Sequence, residues 1–161
     1  MGIKFGQTSL ERLATLKPAL RRVVERAASL AAPEEDFKIL EGVRTREQMK
    51  INYGKGRTAE QLKVVGIEAK YAAPKEAKVT WLRNPFNSKH AADPKDGLSA
   101  AVDVVPYPVD WNDLGRFNRL AGLMFRAAAL EGVHIRWGAD WDEDGKPREK
   151  GETDSPHFEL A

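Results

Sequence analysis

Ala101-Val102-Asp103-Val104-Val105 is an apolar run interrupted by one carboxylate and closed by Pro106 and Pro108. Its β-branched residues and its stop at proline predict a buried strand. A carboxylate inside such a strand is costly unless a partner offsets its charge. A bound cation would do so, and this chain has two histidines that can help hold one. His90 lies upstream, after Ser88-Lys89, and His157 lies near the C-terminus in Asp154-Ser155-Pro156-His157-Phe158-Glu159-Leu160. Two imidazoles and a carboxylate form a three-ligand set, which leaves one position open on a tetrahedral zinc ion, as catalysis needs. Asp154, three residues before His157, would then stand where a general base can act. The spacing of His90, Asp103 and His157 is no standard zinc signature, so spacing alone does not assign them.

Outward from that strand, the elements do not alternate regularly. Leu10, Leu13, Leu16, Leu20, Val23, Val24 and Ala27 recur at helical spacing, with Ser9 as the expected N-cap and Pro18 as an expected break. Phe37-Lys38-Ile39-Leu40-Glu41 alternates as a strand does. Thr45 is placed to cap a helix from Arg46 to about Tyr53, ending at Gly54-Lys55-Gly56. Residues 59–73 read as a helix containing a glycine or as an irregular excursion, and Val79-Thr80-Trp81-Leu82 as a short strand. Asp110 is the expected cap of a long helix from about Trp111 to Gly132, with an apolar stripe through Leu114, Phe117, Leu120, Ala121, Met124, Phe125 and Ala128. Val133–Trp137 and His157–Leu160 are the last predicted strands. This order points away from a doubly wound parallel sheet. It favours an α+β fold with helices packed on a small antiparallel sheet.

The chain has 161 residues, enough for one domain over 1–161, with loop insertions expected near 59–77 and 91–100. It carries 26 basic and 24 acidic residues, a net charge of +2, too small to argue for nucleic acid. A nucleic-acid binder would have to rely on Arg44, Arg46, Lys50, Lys55, Arg57 and Lys63. There are no cysteines, which excludes disulfides, thiolate metal ligands and a cysteine nucleophile. No apolar stretch is long enough to span a membrane, and the N-terminus lacks the apolar core of a signal peptide. Synthesis in the cytoplasm is therefore expected, with any action outside requiring separate release.

Several pieces in one order resemble the zinc D-Ala-D-Ala carboxypeptidase and L-alanyl-D-glutamate peptidase family, including its phage endolysins. They are Gly42-Val43-Arg44-Thr45 with Gln48, Gly56-Arg57-Thr58, Val79-Thr80-Trp81, Ser88-Lys89-His90, Ala101-Val102-Asp103, Gly138-Ala139-Asp140-Trp141 and Asp154-Ser155-Pro156-His157. The resemblance implies a zinc peptidase acting on peptidoglycan. His90, Asp103 and His157 match its zinc ligands, and Asp154 matches the acid that activates water. Arg44 matches the arginine that holds substrate and steadies the anionic intermediate, Gln48 lies near a supporting position, and Ser88 matches a serine that orients substrate or a ligand. One departure stands out: the His90–Asp103 separation is longer than is common in that family, by a loop containing Asp93-Pro94-Lys95-Asp96-Gly97. Asp93 and Asp96 are therefore weighed as alternative ligands, against the plainer reading of turn residues.

The first expectation is an L-alanyl-D-glutamate endopeptidase working as a monomeric phage endolysin. Made in the host cytoplasm, it would reach the wall through a separate pore. A D-alanyl-D-alanine carboxypeptidase is the alternative within the enzyme class. A non-catalytic, metal-stabilised wall-binding or protein-binding module is the alternative outside it. A second cation site is also expected: Asp140, Asp142 and Asp144 before Gly145 begin like a calcium loop, although its twelfth position is Gly151, flanked by Glu149 and Glu152. His134, the remaining histidine, reads as a strand or surface residue.

Overall fold

In a computed structural model describing residues 2–161, nine regular helices and strands follow one another. They are α1 (Gln7–Leu13), α2 (Pro18–Leu30), β1 (Phe37–Glu41), α3 (Arg46–Gly54), α4 (Ala59–Val64), β2 (Ala101–Pro106), α5 (Leu114–Glu131), β3 (Ile135–Trp137) and β4 (His157–Leu160). Short 3₁₀ turns occupy Pro33–Glu35 and Ala69–Tyr71. The four strands pair in the order β1-β2-β4-β3, every pairing antiparallel. This is the α+β arrangement that the irregular order of elements implies.

The sheet has one helix-covered face. Phe37 and Ile39 of β1, Val102 and Val104 of β2, Ile135 and Trp137 of β3, and Phe158 of β4 are buried in one core. Leu20, Val23, Val24 and Ala27 of α2 and Leu120, Met124, Ala127 and Ala128 of α5 complete it. Burying a large apolar side chain contributes roughly 1.5–3 kcal/mol, so this layer supplies most of the drive to fold. Alternation along a strand sends the intervening residues to the opposite face. That face carries Asp103, His157 and Glu159.

Local signals explain the element ends. Pro18 is the first residue of α2, where its missing N–H costs nothing, so the long helical pattern divides there. Ser9 does not cap α1, which begins at Gln7. Its hydroxyl instead accepts the Ile39 backbone N–H at 3.1 Å, tying α1 to β1. Thr45 accepts from Gln48 N and caps α3 as expected, and Thr58 with Gln61 forms a capping box for α4. Helix α5 starts later than expected. Asp113 is its cap, while Asp110 accepts from Asn112 N in the turn before it. Competing side-chain acceptors at 110 and 113 leave sequence alone unable to choose between the two starts.

Residues 59–77 hold α4 and a 3₁₀ turn of their own. Leu62 and Ile67 bury against Tyr53 of α3 in a small second core, flanked by Tyr71, Ala72 and Phe86. The expected strand at Val79–Leu82 does not form. Thr80 O is held by the guanidinium of buried Arg57 at 2.8 Å rather than by a neighbouring strand. β-branched residues favour a strand only where an edge is available to pair with them.

Loop 91–100 is likewise pinned. Lys17 Nζ reaches Asp93 at 2.8 Å and Asp96 at 3.1 Å, and Ser99 is tied to the α1–α2 junction, its carbonyl accepting from Lys17 N at 2.9 Å and its N–H donating to Thr15 O at 2.8 Å. These aspartates are turn residues bound to a lysine and stand apart from the histidine cluster.

Candidate metal centre

Register builds the centre. Asp103 of β2 lies directly opposite His157 of β4, and Glu41 of β1 lies opposite Asp103 on the other side. One row across three strands therefore holds an acid, a second acid and an imidazole. His90 approaches from the segment before β2. Ser88 Oγ accepts the His90 backbone N–H at 3.1 Å and turns the chain inward, leaving the ring 2 % exposed.

Three atoms converge. His90 Nε2 and His157 Nδ1 lie 3.2 Å apart, and Asp103 Oδ1 lies 3.3 Å from each. Bonds of about 2.0–2.1 Å to a tetrahedral zinc place neighbouring ligand atoms about 3.3–3.4 Å apart. The triangle therefore matches one face of such a tetrahedron. The outer contacts select the ring atoms presented. His90 Nδ1 meets the Gly42 carbonyl at 2.8 Å, so Nδ1 carries the proton and Nε2 offers its lone pair. His157 Nε2 meets Glu159 Oε1 at 2.9 Å, which leaves Nδ1 for the ion. His90, Asp103 and His157 are one group in this fold whose ligand atoms lie close enough together to hold a metal ion.

Two glycines permit the approach. A Cβ on Gly42 would collide with Thr15 Oγ1 and the Arg12 carbonyl, and one on Gly138 would collide with Asp154 O. Gly138 also binds the turn leading into β4: its N–H donates to His157 O, and its carbonyl accepts from Asp154 N.

Charge follows the geometry. Burial works against ionising Asp103, but hydrogen bonds from His157 and His90 outweigh it and hold the acid well below the usual carboxylate range. Burial also works against protonating His157. Asp103 and Glu159 overcome that and raise it to about 9. In the metal-free protein, His157 thus keeps a proton that the unfolded chain releases near 6.5. The resulting stabilisation is complete below that pH and is lost as pH rises through about 9. A metal ion must displace this proton from Nδ1. Zinc uptake at pH 7 is therefore expected to release about one proton and to tighten with pH up to about 9. Calorimetry in buffers of differing ionisation enthalpy measures this, and uptake at pH 7 without proton release would contradict it.

Asp154 stands beside the triangle, its Oδ2 3.8 Å from His157 Nδ1 and its side chain 54 % exposed. Partial desolvation in the groove pushes its pKa up, as does Asp103, while His157 pulls it down. Arg44 reaches in from the segment after β1, gripped by Glu41 through Nε at 2.8 Å and Nη2 at 3.1 Å. Desolvation alone would lower its pKa, but Glu41 raises it, so the guanidinium stays charged. Trp141 lies against His157 with ring centres 5.4 Å apart. Arg44, Ser88, His90, Asp103, Asp154 and His157 all line one groove of about 470 Å³.

Gln48 is elsewhere. Its amide reaches Asn52, and it lines a neighbouring recess with Arg12, Glu41 and Gly42. His134 is an exposed residue paired with Glu143 at 2.6 Å, away from the groove. Glu159, Glu41 and Gly42 were not singled out in the sequence as site residues. Glu159 had a signal: two residues beyond His157 on a strand, it must share that face. The Gly42 carbonyl is a backbone group and had none.

A triangle of two imidazoles and a carboxylate that could hold a metal ion, beside a half-exposed carboxylate and a fixed arginine, is a constellation suited to a hydrolytic enzyme. The sequence profile of the family described as phage L-alanyl-D-glutamate peptidase matches residues 1–74 and 66–161. The L-alanyl-D-glutamate peptidase of Escherichia phage T5 is 31 % identical over 167 residues, covering all of both chains. The crystal structure of the Serratia marcescens L-Ala D-Glu endopeptidase ChiX superposes with a TM-score of 0.61 at 24 % identity, over 99 % of this chain and 91 % of the other, and supports the fold. This chain belongs to the phage L-alanyl-D-glutamate peptidase family.

Proposed function

We propose that the protein is a zinc-dependent endopeptidase that cuts the L-alanyl-D-glutamate bond of peptidoglycan stem peptides, acting as a phage endolysin. The observation that carries this reading is the triangle of His90 Nε2, Asp103 Oδ1 and His157 Nδ1, with edges of 3.2–3.3 Å and Asp154 at its open side. Family membership supports the choice of substrate. Bound at the triangle, zinc would polarise the scissile carbonyl and make water acidic enough to attack near neutral pH. Asp154 takes the proton from the attacking water and returns it to the departing amine. Its raised pKa suits a group that must do both. Arg44, held in place by Glu41, offsets the negative charge that grows on the carbonyl oxygen. Ser88 shapes the turn that presents His90. Gln48, one recess away, would support the outer substrate.

Incubation with purified peptidoglycan is expected to expose new D-glutamate amino termini, read by mass spectrometry. New D-alanine release instead would favour the carboxypeptidase activity, and zinc-loaded protein releasing neither would favour a binding module. Among the described residues no helix is long and apolar enough to cross a membrane. A separate pore is the proposed route from the host cytoplasm to the wall.

The acidic loop is proposed as a calcium site. Asp140, Asp142 and Asp144 bring oxygens within reach of one ion, and Asp142 does so again with Glu149 and Glu152. Glu152 is 6 % exposed, and its Oε1 is buried without a hydrogen-bond partner. An ion there would neutralise crowded acids and stiffen the chain leading to Asp154 and His157. Calcium added to zinc-loaded protein is expected to raise the melting temperature and the activity. No change in either would remove the site from the account.

A further inference from the structure

Beyond Ser88 and Lys89 the catalytic groove opens into a second recess of about 750 Å³. The two share Arg44, Met49, Ser88 and Lys89 in their linings, so they are continuous. The far wall of the recess is loop 91–100, the stretch that lengthens the path from His90 to Asp103. The wall is preformed. Lys17 clamps Asp93 and Asp96, Asp93 N bonds Leu98 O at 3.0 Å, and Ala100 N bonds Lys89 O at 3.1 Å. Two cations line this space and make no salt bridge within 4.0 Å among the described residues: Lys89 at the junction, whose charge also acts on Glu159, and Arg46, whose guanidinium lies 3.8 Å from the centre of the Phe86 ring.

We infer that Lys89 and the recess behind it form a specificity subsite for an acidic peptide: Lys89 receives the free carboxylate of the glutamate, and the Arg46–Phe86 wall takes the chain beyond it. This rests on the peptidase reading above. The chemistry of the bond motivates it. An alanyl-glutamate amide uses the amino group of the glutamate and leaves its two carboxyl groups. At most one of them continues the chain, so a carboxylate remains a few bonds from the scissile amide. A cation at the mouth of a preformed recess, next to that amide, selects such a substrate over a neutral one.

The test is steady-state kinetics on three synthetic peptides. One is acetyl-L-alanyl-γ-D-glutamyl-L-lysyl-D-alanine, the second is the same peptide with the free glutamate carboxylate converted to carboxamide, and the third is acetyl-L-alanyl-D-glutamate. The wild type is expected to prefer the acid to the carboxamide. Lys89→Ala should raise KM for the acid by about tenfold, leave kcat in place and leave the carboxamide unaffected, the size expected for losing one charged hydrogen bond. Lys89→Arg should restore the preference. Arg46→Ala should raise KM for the long peptide and not for acetyl-L-alanyl-D-glutamate. If the wild type cleaves acid and carboxamide alike and KM stays put in every variant, the subsite is wrong and the peptidase stands. If the wild type cleaves none of the three but binds the long acid in a Lys89-dependent way by calorimetry, the subsite stands and the peptidase reading falls.

Discussion

Asp154→Asn is expected to fold, to bind zinc as the parent does, and to lose between about 10² and 10⁴ of its rate on peptidoglycan. The asparagine is nearly the same size and keeps the turn in which residue 154 N donates to Gly138 O. It cannot accept and return a proton. Asp154 Oδ2 lies 3.8 Å from His157 Nδ1, whereas the three converging atoms lie within 3.3 Å of one another. On that difference we propose Asp154 as the base beside the ligands rather than as one of them. The loss should fall on kcat, because proton transfer matters in the transition state and contributes little to ground-state binding. Metal content by elemental analysis and turnover by mass spectrometry decide the point together. A variant that loses its zinc would make Asp154 a ligand, and one that keeps full activity would remove it from the chemistry.

The second large effect belongs to the ligands. His157→Ala should abolish both stoichiometric zinc and activity. It takes away one corner of the triangle and also removes the Nε2 partner of Glu159, which is 6 % exposed and then keeps only Arg136, at 3.6 Å, among the described residues. Glu159→Gln should be gentler. A glutamine can still accept from Nε2 but without the charge, and outer contacts of this kind typically change metal affinity by about 10–100-fold. A graded series, parent above Glu159→Gln above His157→Ala, is the expected result in zinc-competition titrations with a chelating dye. Equal affinity in all three would mean that the ion binds elsewhere.

The centre was legible to the extent that its ligands were side chains in recognisable local patterns. Asp103 stood out because a carboxylate within Ala-Val-Asp-Val-Val has to be explained. His157 was one of only three histidines, and its place among the ligands came from the family resemblance of Asp154-Ser155-Pro156-His157. The helix caps at Thr45 and Thr58 are decided within a few residues, and Thr45 was read from its immediate neighbours. Long-range contacts were less accessible. Ser9 resembles a cap but is used to tie α1 to β1, thirty residues away. Val79–Leu82 has strand composition but is held by Arg57, whose reach nothing local reveals. Gly42 contributes a carbonyl, and a backbone acceptor is present at every residue. Pairing Asp103 with His157 required the register of β2 on β4, a property of the sheet rather than of either strand.

X-ray absorption at the zinc edge on loaded protein, before and after addition of a small anion, tests the centre most directly. The expected spectrum shows two imidazole nitrogens and one carboxylate oxygen at about 2.0–2.2 Å, with a fourth light atom that the anion replaces. A shell of four protein ligands that no anion disturbs, or fewer than two imidazoles, would contradict an open hydrolytic site at His90, Asp103 and His157.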